Sequence, residues 1–344
     1  MGRRRRRSRV PILPLGVARC PPPHRPPLRA RPRPAPGWTA SPTGTSGGSP
    51  SRTSSPTSAS SSPAPSCGSP GSGLGCPTWP RCTEESYAAH PSMGIHGAIE
   101  FGNRLLTFVL AAIALLTFLA AWRATSRRAS WIAFGIGLGI PAQAVIGGIT
   151  VLTDLNPWIV ALHLLLSLAM IGLCVVLLDH VRHPEVWGSA ARATAPATPP
   201  LVRRLTIAAF AVGWVVLYLG TIVTGSGPHA GDENAPRTGL DPATFSHVHA
   251  WAVYALVALT VALLVVARRR GDTQLTRAVT ALLAVELAQG LVGYVQYFTG
   301  LPVGLVALHM LGAAVTSAAL TWVVVRAFRP VTIVAEPDVR VARV

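Results

Sequence analysis

The 344-residue chain contains no lysine, and all 30 of its basic residues are arginine. That usage favours a GC-rich coding sequence over a surface tuned for nucleic acid, which normally mixes the two cations. Charge of either sign is scarce, at 12% of residues, and aromatics make up 6%, whereas half of the residues are apolar. An ordinary soluble domain is about one-quarter charged, so this composition argues against a soluble enzyme. Acid is absent from residues 1–70, which hold twelve arginines and hence +12 of the net charge of +17; the remainder of the chain supplies +5. The basic character belongs to one stretch, and no nucleic-acid partner is expected.

Residues 1–70 are almost entirely Arg, Pro, Ser, Ala, Gly and Thr, beginning with the run Arg3 to Arg7. They cannot bury enough apolar surface to offset the entropy of ordering, and are expected to be disordered. No apolar core follows the arginine run, so it is not a signal peptide. From about residue 98 the character changes. Seven apolar segments follow, at 98–122, 131–153, 158–179, 204–224, 246–268, 276–298 and 302–327. Each has about the 20 residues that a helix needs to cross a hydrocarbon core of roughly 30 Å. Polar stripes at the helical period are mostly missing, so they read as membrane spans.

The connections set the orientation. Arg123, Arg127 and Arg128 follow the first span; Arg182, Arg192, Arg203 and Arg204 the third; Arg268 to Arg270 and Arg277 the fifth; Arg326 and Arg329 the last. The alternate connections are short or acidic. The positive-inside rule places the arginine-rich ends, and a tail over 330–344, in the cytoplasm. It also leaves residues 1–70 outside with their twelve arginines, a conflict that one further span before residue 71 resolves.

A repeat points the same way. Ala142 to His163 aligns without a gap on Ala288 to His309 at an offset of 146, with nine of 22 positions identical, including Gln143, Gly147, Thr153 and His163. Hydropathy alone does not explain matched Gln, Gly, Thr and His. The same offset carries Asn103 onto His249, and Gly71-Ser72-Gly73 is echoed by Gly225-Ser226-Gly227. The second Gly-Ser-Gly follows a span and the first does not. The bundle is therefore expected to lack its first helix, and residues 1–70 are read as an out-of-frame or wrongly started translation.

His163, His247, His249 and His309 lie in or at the edge of spans, where imidazole is rare and faces a bundle interior or a cofactor. His163, His249 and His309 share one depth near the outer face. Two imidazoles on facing helices can clamp a haem iron, which suits this arrangement better than an exchangeable zinc. Glu100 is the one acid of the first span and shares a helix face with His96 and Asn103. A carboxylate there can bond a ligand or take protons. Glu286, with Gln289 one turn away, is read as an interhelical hydrogen-bonding group. Cys76 and Cys82 bracket Pro-Thr-Trp-Pro-Arg on the oxidising side, where so short a loop closes readily as a disulfide; their spacing is a poor zinc signature. Cys174 reads as a small packing residue, and Cys20 and Cys67 are discounted.

The string from Gly71 through Cys76-Pro77-Thr78-Trp79-Pro80-Arg81-Cys82, then Glu100-Phe101-Gly102-Asn103-Arg104, then His163, His249 and His309, resembles heme A synthase, a membrane enzyme of cytochrome oxidase assembly. The resemblance covers about residues 71–329. It implies eight helices in two four-helix halves and oxidation of the C8 methyl group of haem o to the formyl group of haem a. It also implies that His249 and His309 hold a haem b, that His163 and Glu100 belong to the haem o site, and that Cys76 and Cys82 form the outer cysteine pair. Where the family commonly has Glu-x-x-His-Arg this chain has Asn103 before Arg104, so either His96 takes over as ligand or Asn103 leaves the iron open. Ala250 stands where an Arg commonly follows the ligand.

The expected fold is thus an all-α membrane protein of two repeated four-helix bundles with seven spans visible. Residues 71–180 form the half for the substrate haem and 204–329 the half for haem b. Glu100 is the expected catalytic carboxylate; Arg104 orients it or a propionate. Expected partners are haem o, membrane lipid, the farnesyltransferase that produces haem o, terminal oxidase assembly factors and a second copy of the chain. The expected location is the cell membrane, with the haem sites toward the extracytoplasmic side. The rival reading is a non-catalytic dihaem electron carrier or haem-assembly protein.

Overall fold

A computed structural model gives the structure, which describes residues 75–90, 93–123, 127–187, 198–228 and 235–329. Seven long helices follow one another: α1 (Gly94–Arg123), α2 (Arg127–Leu152), α3 (Pro157–Arg182), α5 (Pro200–Ser226), α6 (Pro242–Arg269), α7 (Thr273–Phe298) and α8 (Val303–Phe328), with one extra turn, α4 (Pro184–Trp187), after α3. All seven are long and apolar enough to cross a membrane, and no strand occurs among the described residues. The protein is a multi-pass all-α membrane protein. Hydrocarbon offers backbone groups no water to bond, so each segment satisfies its own amides as a helix.

Six of the seven long helices start ahead of the apolar segments, and α8 starts one residue behind. α5 begins at Pro200 and α6 at Pro242, four residues ahead of the hydropathy in each case. Hydropathy marks the hydrocarbon, whereas a helix runs on into the interface until a cap ends it. Proline at the first helical position loses no bond the helix needed. Asn156, Asp241 and Asp272 each accept a backbone amide at a helix start, from Trp158, Thr244 and Leu275.

α5, α6, α7 and α8 close into a ring in which α5 packs on α6, α6 on α7, α7 on α8 and α8 back on α5. α6 and α8 therefore occupy opposite corners. The core of this ring is aliphatic, with Leu256, Leu263, Leu275, Leu282 and Leu320 fully buried. The first half differs. α1 packs on α2 and α2 on α3, but α1 has no substantial contact with α3 among the described residues. The expected pair of four-helix bundles is thus a closed ring of four and an open row of three, and α1 exposes Ile99, Leu105, Phe108, Ile113 and Leu116. Cys174, expected in packing, is exposed instead. The 1–70 stretch, Cys20, Cys67, Gly71-Ser72-Gly73 and the 330–344 tail lie outside the described residues.

The halves meet through α3, which packs on both α8 and α5. Small and hydroxylated residues make that seam. The Ser317 hydroxyl donates to the Leu168 carbonyl at 2.7 Å, and a Cβ on Gly172 would stand 2.8 Å from Thr321 Oγ1. Such residues let helix backbones approach where lipid offers no hydrophobic drive for association.

The sequence repeat is also a repeat of turns. Asp154 and Leu155 between α2 and α3, and Gly300 and Leu301 between α7 and α8, all take positive φ. In each turn the leucine amide donates 2.8 Å back into the preceding helix, Leu155 to Thr150 and Leu301 to Gln296. Leucine in this conformation costs about 1–2 kcal/mol, and the reversed hydrogen bond that closes the helix offsets it.

Gly172→Leu will overpack the α3–α8 seam and lower stability by about 1–3 kcal/mol, read as an earlier thermal transition of the detergent-solubilised protein with its helicity unchanged. The Thr244 hydroxyl and amide hold the Asp241 carboxyl below the usual aspartate range. A lowered carboxyl stabilises above its unfolded value and ceases to do so as pH falls through the lowered one. The start of α6 will therefore loosen below about pH 4, seen as faster exchange of the Thr244 amide after correction for its intrinsic pH dependence.

Candidate functional site

His163, His249 and His309 each lie in the first turns of a helix, α3, α6 and α8, at the end of the bundle opposite the arginine-rich connections. They share a contact as well as a depth. The Cε1 edge of His163 would be 3.4 Å from a Cβ on Gly147 of α2, that of His249 3.4 Å from one on Gly220 of α5, and that of His309 3.5 Å from one on Gly293 of α7. Each ring rests on a glycine of the helix that precedes its own. A Cβ there would touch the ring at ordinary van der Waals distance, and a side chain longer than alanine's would meet it.

In the closed half this places histidines on opposite corners, α6 and α8, and glycines on the other two. Nδ1 of all three histidines is buried without a partner. Among the described residues no three His, Cys, Asp or Glu side chains converge as ligands of a bare ion. Two half-buried imidazoles with uncommitted nitrogens, on opposite corners of an apolar ring beside two glycines, are a donor set that would suit a haem iron. Around His163 the Gln143 amide donates to the His163 carbonyl at 3.0 Å and to the Ser167 hydroxyl at 2.7 Å, tying α2 to that turn of α3.

The segment 75–90 folds against the outer ends of α1 and α2. Cys76 and Cys82 form the expected disulfide. The Trp79 indole lies on Gly148, where a Cβ would be 2.4 Å from its ring. Arg104 holds the loop, donating to the carbonyls of Thr78 and Arg81 at 2.9 Å and of Pro80 at 3.2 Å, and to Glu100 Oε1 at 2.7 Å. Glu100 Oε2 accepts the Cys76 amide at 2.8 Å. The pair is only about one-fifth exposed. Glu100 and Arg104 are thus joined to one another and to the disulfide loop. His96 and Asn103 are exposed, and no contact brings Glu100, Asn103 or His96 to His163.

Several features were not singled out as site residues in the sequence. The glycines under the rings are one; their signal is the shared 16-residue spacing of Gly147 to His163 and Gly293 to His309. Gly220 lies on the far side of a longer connection from His249, and no spacing reveals it. Glu286 is 4% exposed and its Oε1 accepts the Thr260 hydroxyl at 2.8 Å, the interhelical bond expected of it, while Oε2 is buried without a partner.

Arg104→Ala will release the loop. Losing a charged hydrogen-bond donor costs about 1.5–3 kcal/mol, so reduction of the Cys76–Cys82 disulfide, followed by thiol labelling, will be roughly ten- to a hundredfold faster.

Residues 69–239 match the family model described as cytochrome oxidase assembly protein. The match takes in the disulfide loop, Glu100, Arg104 and His163, and ends before His249 and His309, which the internal repeat relates to the matched part. No curated protein matches the chain. With its disulfide loop tied to a Glu-Arg pair and its outer histidine lying inside the matched stretch, the chain belongs to the cytochrome oxidase assembly protein family, that of the heme A synthases.

Proposed function

We propose that the protein is a heme A synthase, oxidising the C8 methyl group of haem o to the formyl group of haem a. The observation that carries this reading is the recurrent contact of a half-buried imidazole on a glycine, once in the first half and twice at opposite corners of the second. It supports a substrate haem at His163 and a resident haem b between His249 and His309. His249 and His309 would hold a haem b, which would supply one-electron redox chemistry when bound.

This chain's own residues do the rest. Gly220 and Gly293 keep two corners of the ring free of side chains, leaving room for a flat macrocycle. The aliphatic walls exclude water, which strengthens each polar contact inside. Taking a methyl to a formyl group with oxygen from water releases protons and electrons, and the electrons pass to an external acceptor that this chain does not itself supply. In this reading Glu100, at the outer rim and partly solvated, accepts protons or positions the substrate, and Arg104 holds the carboxylate in register. Its second oxygen fixes the Cys76 amide, so the disulfide loop and the carboxylate move together.

The test is expression of the chain with a source of haem o and identification of the bound haems by mass. Haem a is the expected product. Haem o carried unchanged through active membranes would favour the dihaem electron carrier instead. His249→Ala with His309→Ala will abolish the Soret band of the resident haem while the helical signal persists. Gly293→Leu will push the His309 ring aside and weaken haem retention by about tenfold or more, with both ligands still present. Glu100→Gln keeps the size of the side chain but not its charge. If Glu100 handles protons, this variant loses haem a formation with the disulfide loop still protected from reductant; if it only anchors the loop, activity and protection fall together.

A further inference from the structure

The arginine-rich end of the bundle carries a groove that the haem reading does not use. It is about 440 Å³ in volume and lies where α3 of the first half meets α7 and α8 of the second, with Arg182, Asp179 and Arg326 at its rim. Asp179 is buried and both its oxygens are engaged, Oδ2 by the Trp187 indole N–H at 2.8 Å and Oδ1 facing Arg326 Nη2 at 3.4 Å. Neither oxygen meets the other guanidinium nitrogen in hydrogen-bond geometry. Arg326 Nη1 is buried with no partner, on a side chain only 14% exposed. Arg182, one turn beyond Asp179, is exposed and has no hydrogen bond or ion pair among the described residues.

An unpartnered guanidinium N–H at the hydrocarbon edge is costly, and among the described side chains two arginines against one carboxylate that is already bonded leave the rim positive. Below the rim the groove is apolar. Ala281, Ala318 and Trp322 line it, and it reaches Val315. From Arg326 to Val315 along α8 is roughly 16 Å at the helical rise, about half of a hydrocarbon core of roughly 30 Å. A cationic rim above an apolar channel one leaflet deep matches an amphiphile with an anionic head and a single-leaflet tail.

We propose that this groove binds an anionic phospholipid of the leaflet on the arginine-rich side, its phosphate on Arg326 Nη1 and Arg182 and an acyl chain against α7 and α8. The lipid then lies at the seam between the two halves and bridges α3 to α8 where Ser317 and Gly172 already join them. Basic pockets between membrane helices at this depth take such headgroups. The proposal is independent of what the histidines bind.

The experiment uses the full chain in nanodiscs of phosphatidylcholine containing one-tenth phosphatidylglycerol, with lipid retained after mild detergent extraction identified by native mass spectrometry. Wild-type protein will retain phosphatidylglycerol in preference to phosphatidylcholine. Arg182→Gln, at an exposed position with no partner to lose among the described residues, will weaken that preference by about fivefold. Ala318→Phe leaves both arginines in place and blocks the channel, and will also release the lipid. Glycerophosphoglycerol, the same headgroup without acyl chains, will not compete; if it competes as well as the lipid, the site binds free phosphate and the proposal fails. Equal retention of the two lipids, no change in Arg182→Gln, or a haem rather than a lipid leaving when Ala318→Phe is made would each overturn it.

Discussion

Four helices packed at the usual 8–10 Å between axes leave no room at their centre for a flat molecule. Space arises only where side chains are absent. In the closed half of this protein Gly220 and Gly293 are bare at two corners, and the imidazoles of His249 and His309 reach in from the other two, each lying on one of those glycines. Ring and glycine go together: each imidazole lies over a position that carries no side chain. The aliphatic core beneath, with Leu256, Leu263 and Leu282 fully buried, holds the corners at the necessary separation.

The two halves use this device differently. In the second half the ring is closed and the pair of histidines is complete. In the first, α1, α2 and α3 stand in a row, His163 has its glycine, and position 103, opposite it by the repeat, carries an exposed asparagine. The disulfide loop lies against that half, with Trp79 on Gly148 and Arg104 gathering its carbonyls. Among the described residues the half proposed for substrate is the more open of the two and carries the disulfide loop at its outer edge, whereas the half proposed for a resident group is a closed ring of four helices.

Most of the helices were legible because hydrocarbon is a stringent solvent: runs of apolar residues 20 long have few other uses. Helix starts were less so, since Pro200 and Pro242 lie in the interface, where hydropathy says nothing and capping decides. The histidines were legible from their depth and from the repeat. The disulfide followed from two cysteines on one short loop. The glycine beneath His249 was not readable, because a contact between different helices leaves no fixed spacing. Glu100 shows the limit most clearly. Its rarity in a span singled it out, but a lone carboxylate is equally required to bind substrate or to tether a loop, and here both oxygens are engaged by Cys76 and Arg104. The groove at Asp179 and Arg326 joins residues far apart in the chain, which only the packing of α3 on α8 brings together.

The duplicated turns bear on how such a chain can vary over evolutionary time. Leu155 and Leu301 close the helices before them with the same reversed hydrogen bond, and a histidine follows each after the same interval. One inserted residue within that interval swings the imidazole by about 100° around its helix and away from the glycine. Substitutions can accumulate in these hairpins, as Asp154 against Gly300 already illustrates, but insertions and deletions cannot. Their length, more than their composition, is the inherited character.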